Sequence, residues 1–265
     1  MAKSKSNDKV LKAVRPNLGI EIKLRRQIEC LLDEMAASIL YWVRAAYRQN
    51  EPVMAQDRVP ASELRAAIRK MAKRWTKNWN EASPKLARYF ALSAAKRSDR
   101  ALMKILRDAG IAVDFRMTPA MRDVLNATVN QNVSLIKSIP ARYLSDVEQL
   151  VMRSVQTGRD LGQLSRDLQK RHGVTKKRAA LISKDQNSKA TSAFNRVRRL
   201  ELGLTESVWR HSYAGKTFRP THVKMDGKRF DTAKGMWDST ENRWVQPGEL
   251  INCKCFANPI VPGFA

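Results

Sequence analysis

The chain has 265 residues, enough for one large or two modest domains with a hydrophobic core. Its 50 Lys and Arg face 25 Asp and Glu, a formal charge of +25 shared about equally by residues 1–117 and 118–265, which points to a polyanionic partner, nucleic acid before an anionic membrane surface. No run approaches ~20 apolar residues, so no membrane span is expected, no secretory signal is read in "MAKSKSNDKVLKAV", and Cys30, Cys253 and Cys255 are too few for a disulfide framework, which fits a reducing compartment.

Residues 1–19 are polar and basic and read as a mobile arm ending in Pro16 and Gly19. From Ile20 the helical period takes over, with Ile28, Leu31, Leu32, Met35, Ile39, Leu40 and Val43 forming an apolar stripe to about Tyr47. "QNEPVMAQDRVP" breaks it, and a second helix starts at Ser62. On that helix Arg65, Arg69, Lys73 and Lys77 recur every fourth residue and share one face, either a solvated face or a stripe that tracks phosphates. Trp75 and Trp79 at helical spacing read as core anchors.

Pro84 is expected to separate a third helix that runs to about Asp108 and stops at Gly110. Thr118 and Pro119 open a fourth helix as N-cap and first helical residue, and Pro140 is expected to end it. A fifth covers about 141–157. Asp160 caps "LGQLSRDLQKRHG", which is expected to close on Gly173, with His172 placed against the helix dipole. Thr175 is expected to cap a last basic helix that carries Lys176, Lys177 and Arg178, further candidates for DNA contact, and ends at Gly203. Beyond it "ESVWRHSYAG" is rich in β-formers, and "KTFRPTHVKMDGKRFD" holds an Asp-Gly turn between short runs, so short strands and tight turns are expected. The fold class is mainly α: an elongated multi-helix body followed by a small α+β C-terminal domain.

Chemistry-bearing residues are sparse. His172, His211 and His222 are the only histidines, and no phosphate-binding glycine loop, HExxH or GxSxG occurs. His211, His222, Cys253 and Cys255 form the one plausible ligand set, of a type that suits zinc. The spacing Cys-x-Cys is tighter than an ordinary zinc knuckle. On a strand the two cysteines would share a face, so buried packing thiols and a reactive thiol stand beside zinc as readings.

Residues 130–260 resemble the Mu F-like minor head protein family of tailed bacteriophages, the phage head morphogenesis family. The resemblance rests on "SLIKSIPARYLSDVEQLVMRSVQTGRDLGQLSRDLQKRHGVTKKRAALISKDQ", then "NRVRRLELGLTESVWRHS", "RPTHVKMDGKRF" and "PGELINCKC", in that order. It divides the chain into the arm 1–19, a helical domain 20–117 without an assignable motif, and a Mu F-like domain 118–265. Many family members carry Cys-Pro-x-Cys before the Asp-Gly turn and a His before the final cysteines. Here Arg219 holds the first position, His222 the second, and Leu250 and Ile251 precede Asn252, which leaves His222, Cys253 and Cys255 with His211 as a doubtful fourth.

The resemblance implies a non-enzymatic minor structural protein of the phage head, found in the head interior or at the portal vertex and in the host cytoplasm during assembly. Implied partners are the portal protein, the major capsid or scaffold protein, and double-stranded DNA bound without sequence preference. No cofactor is required on this reading, zinc being the alternative. The rivals are a toxin-like nuclease centred on His222, Asp226 and the cysteines, and a zinc-stapled interaction module.

Overall fold

Helix α1 (Leu18–Arg48), α2 (Ala61–Asp108), α3 (Pro119–Gln156) and α4 (Leu161–Glu201) make up most of the computed structural model, which describes residues 8–48, 61–158, 160–215 and 218–263. The break expected at 49–60 and the first seven residues of the arm lie outside the described residues. Among the described residues no helix is long and apolar enough to cross a membrane.

The helices are longer and fewer than the prolines and glycines suggest. Pro84 lies inside α2 and Pro140 inside α3. A helix-interior proline costs about 3 kcal/mol, whereas each buried large apolar side chain returns about 1.5–3 kcal/mol. The stripe Ile136, Ile139, Tyr143, Leu144 and Val147 runs through Pro140 in phase and is buried, so packing outweighs the lost hydrogen bond. At Pro84 the ring is exposed and the Ser83 hydroxyl donates to the Trp79 carbonyl at 2.5 Å. Gly173 lies within α4 and has no left-handed conformation, because the stripe Leu164, Leu168, Thr175, Ala179 and Ile182 carries the helix across it. Thr175 is therefore no N-cap. Its hydroxyl donates back to the Arg171 carbonyl at 3.0 Å, and His172 meets Asp33 at 2.8 Å in place of a helix end.

Other boundaries fall where capping chemistry puts them. Thr118 Oγ1 accepts from the Met121 N–H at 3.2 Å and Asp160 Oδ1 from the Gln163 N–H at 2.8 Å. Asn17 does the same for α1 through the Ile20 N–H at 3.2 Å. Gly203, with φ +71°, ends α4 while the Leu204 N–H returns to the Arg199 carbonyl at 2.8 Å.

The chain's contacts group into two units. One consists of Ile22–Arg88 and Asn130–Ser183. Its core includes Leu24, Ile28, Leu32, Met35, Ile39 and Val43 of α1, with Trp75 and Trp79 of α2 buried as the spacing predicts. The other consists of Met1–Glu21, Tyr89–Val129 and Lys184–Ala265. It holds one cluster around Leu11, Leu102, Leu106, Leu204 and Val261 and a second around Trp209, Met225, Phe230, Val245 and Leu250. Between α4 and α2, buried Arg198 forks onto Asp99 at 2.8 Å through Nε and Nη2, with Glu201 at 2.8 Å.

The small C-terminal part is antiparallel throughout. β1 (Lys9–Val10), β2 (Glu206–Arg210), β3 (Arg229–Asp231) and β6 (Phe256–Val261) form one sheet in the order β1-β6-β2-β3, and β4 (Met236–Asp238) pairs with β5 (Arg243–Val245) as a hairpin. Two expectations change here. Residues 9–11 are no free arm, because Lys9 pairs with Val261, Val10 with Ile260, and Leu11 is buried. The run before the Asp-Gly turn is a short helix, α5 (Pro220–Met225), because Pro220 at its first turn presets the helical φ. Replacing Leu11 with Ala is expected to lower stability by about 2–5 kcal/mol, read as a shifted denaturant midpoint; a free arm would leave the midpoint unmoved.

Candidate functional site

The site is built where α5, the end of β4 and the loop before β6 converge. Arg219, in extended conformation, precedes Pro220, and one turn later His222 is buried beside Met225. Asp226 closes the helix. Its Oδ1 accepts from the His211 N–H at 2.9 Å and its Oδ2 from the Tyr213 hydroxyl at 3.3 Å, so the carboxylate serves the turn. Trp209 of β2 meets the His222 ring edge-to-face at 5.1 Å between centroids.

"PGELINCKC" reaches the site as a sequence of turns, not as a strand, and β6 begins only at Phe256. Gly248 has φ +83°, and a Cβ there would press on the Cys255 carbonyl at 3.4 Å. Asn252 is left-handed, with φ 59°, and its N–H donates to Asp185 at 2.9 Å. The Cys253 N–H then bonds the Leu250 carbonyl at 2.9 Å. This path aims both thiols at one atom: His222 Nδ1 lies 3.4 Å from Cys253 Sγ and 3.5 Å from Cys255 Sγ.

The opposite ring nitrogen is fixed by a carboxylate. His222 Nε2 lies 3.1 Å from Asp238 Oδ2, which also accepts from the Thr221 hydroxyl at 3.2 Å, while Asp238 Oδ1 accepts from the Thr240 N–H at 2.9 Å. Burial pushes the Asp238 carboxyl up, but the donors at Thr240, Thr221, Glu241 and His222 together hold it below the usual value. The two thiols split. A hydrogen bond from Cys255, assisted by His222 and opposed by burial, brings Cys253 down to about 4. The same contact, followed by burial, pushes Cys255 up.

Imidazole nitrogen and thiolate are zinc donors, and a tetrahedral ion bonded at about 2.3 Å to sulfur and about 2.0 Å to nitrogen sets its N and S ligand atoms about 3.5 Å apart. The His222–Cys253 and His222–Cys255 separations match that edge, and the three donor atoms lie within 4.8 Å of one another. Asp238 stands where the outer-shell carboxylate of a metal-bound histidine stands. The donor set therefore fits zinc. His211 is not in the group: its Nδ1 accepts from the Tyr213 N–H at 3.2 Å, and it lines, with the three donors, a cavity of about 30 Å³. Arg219, at the position where the resemblance implies a cysteine, donates to the Ile251 carbonyl at 3.1 Å and so ties the same two segments by a hydrogen bond.

The basic residues are placed less uniformly than their spacing suggests. Arg65 and Arg69 converge on Glu148 at 2.8 and 3.4 Å, and the hydrogen bond from Arg65 is the chief cause holding that carboxyl low. Lys73 and Lys77 are exposed. Lys176 meets Asp33 at 3.1 Å, Lys177 is exposed, and Arg178 is half-buried against the Ser138 hydroxyl at 3.1 Å. Asp238 was not legible in the sequence. It lies sixteen residues beyond His222, in a run without any ligand spacing, and only the β4–β5 turn brings it back.

Residues 145–258, which include every member of this site, match the model of the family described as Phage Mu protein F like protein. The match covers less than half of the chain, and this stretch is similar to that family. An uncharacterized protein of Haemophilus influenzae (strain Rd) is 33% identical over 150 residues, 56% of this chain and 32% of the relative, so the chain spans about a third of that relative's length. No solved structure matches.

Within this stretch the buried imidazole leans on the Asp238 carboxylate. Asp238→Ala leaves His222 Nε2, Thr221 and Thr240 without it, and the expected cost is about 3 kcal/mol or more, checked by equilibrium denaturation at neutral pH.

Proposed function

We propose that this chain is a minor structural protein of a tailed-phage head, associated with the portal protein and with packaged DNA, assisting head assembly and genome packaging or delivery. The observation that carries the reading is the Mu F-like match at residues 145–258. The charge of +25 supports the DNA part, since it exceeds what solubility requires of a domain. The major capsid or scaffold protein is the further protein partner, and the location is the virion, in the head interior or at the portal vertex, after assembly in the host cytoplasm. No catalysis is assigned: His222 is buried among Asp238 and the two thiols, and Asp226 is engaged by His211 and Tyr213.

Binding to DNA on this reading is electrostatic and independent of sequence. In gel retardation, log affinity is expected to fall linearly with log salt, and Lys73→Gln with Lys77→Gln is expected to reduce the slope by about 2. The pair at Arg65 and Arg69 is expected to contribute less because Glu148 already neutralises part of it. Absence of retardation at low salt would remove DNA from the proposal while leaving the head assignment in place.

A second reading concerns the staple of the domain and is favoured by the His222, Cys253 and Cys255 geometry. We propose that the three hold zinc, with Asp238 orienting the imidazole. Metal analysis of the purified chain is expected to give about one equivalent, lost on Cys253→Ser with Cys255→Ser. Less than about half an equivalent would reject the zinc and leave a thiol–imidazole hydrogen-bonded cluster, for which the same distances suffice.

A further inference from the structure

Two adjacent arginines at the end of α4 are buried, and only one has a counter-charge. Arg198 is forked by Asp99 and reached by Glu201. Arg199 donates through Nε to the Asn195 carbonyl at 3.2 Å and through Nη1 to the Ser207 hydroxyl at 2.8 Å, both neutral. No carboxylate forms an ion pair with it among the described residues, and its side chain is only 3% exposed. Burial, followed by repulsion from Arg196, brings its guanidinium down to about 10.

Arg199 lines a cavity of about 310 Å³ together with Arg15, Lys184 and Lys254, and Glu21 is the only carboxylate in that lining. The cations are not arranged to avoid one another. Lys184 and Lys254 line the cavity together, and the Lys254 ammonium donates to the Ala214 carbonyl. Arg15 lies with its guanidinium 3.2 Å from the Phe256 ring centroid, and burial pushes it down as well. Ser188 and Thr191 also line the cavity, beside an apolar side that includes Leu102 and Phe256. Exposure grades inward from Arg15 and Lys184, both exposed, to Arg199. Like-charged side chains converging on a concavity around a buried, unanswered guanidinium are the complement of an oxyanion with more than one charge.

We propose that this cavity binds a phosphate-class anion, with Arg199 as the buried anchor and Lys184, Lys254 and Arg15 closing on the oxygens. Its volume lies at the lower end of the small-molecule range, enough for a phosphate with a modest attached group and too confined for duplex DNA. The site is thus separate from the exposed charge that non-specific DNA binding would use, and its failure and the failure of that reading are independent.

The test uses the full chain in chloride buffers of matched ionic strength. Titration with pyrophosphate is expected to give saturable one-site heat and a rise in melting temperature. Lys184→Met with Lys254→Met, both outside the apolar cores, is expected to weaken that binding at least about tenfold while leaving the unliganded melting temperature near that of the parent. Competition by a short 5′-phosphorylated oligonucleotide, but not by its 5′-hydroxyl twin, would assign the phosphate to a nucleic-acid end. Competition by neither would assign it to a free phosphate compound. No saturable response to pyrophosphate, or binding unchanged in the double variant, would overturn the proposal.

Discussion

The small C-terminal fold depends on one buried imidazole. His222 touches both Asp238, at the end of a hairpin strand, and the two thiols that precede the last strand. Those segments are short, and none buries enough apolar surface alone to fix its place. The ring supplies what a larger core would otherwise supply, with a donor or acceptor on each edge and Trp209 against it. The carboxylate on one nitrogen fixes the ring, so the thiols meet an imidazole already oriented toward them. Whether a proton or a metal joins them, the constraint on the three segments is the same.

The second constraint is charge. An excess of 25 positive charges must be accommodated without unfolding the protein, and the side chains are sorted by whether a partner is near. Arg65 and Arg69 share Glu148, Lys176 uses Asp33, and Arg198 has two carboxylates. Exposed pairs of this kind contribute little to stability, so their effect is mainly to subtract from the positive surface. The regular stripe read along α2 is therefore weaker at its N-terminal half than at Lys73 and Lys77.

Fold class and the helix starts were legible because they rest on local chemistry: Thr118 and Asp160 cap as their side chains predict, and Gly203 stops α4 because a left-handed residue is needed there. The failures at Pro84, Pro140 and Gly173 share one cause. Each proline costs about 3 kcal/mol locally and the glycine about 1 kcal/mol, while the apolar stripe through it is a sum over several side chains, visible only once a packing partner exists. The arm failed in the same way, since a two-residue strand has no pattern until β6 lies beside it. The donor set His222, Cys253 and Cys255 was legible by residue type and Asp238 was not, because a carboxylate sixteen residues away is recognisable only through the turn that returns it.

The tripeptide Cys253-Lys254-Cys255 shows how local alternation can serve two environments at once. The flanking sulfurs both lie against His222, while the lysine between them lines both the small cavity beside that histidine and the cavity that holds Arg199, its ammonium bonded to the Ala214 carbonyl. The chain turns just before this stretch, so the two thiols reach one partner while the residue between them takes another, the Ala214 carbonyl. Asn252 makes this possible by turning left-handed just before, and Asp185 holds that turn from α4. The spacing of one residue between the cysteines, too tight for an ordinary zinc knuckle, is thus the spacing that keeps both sulfurs on the histidine.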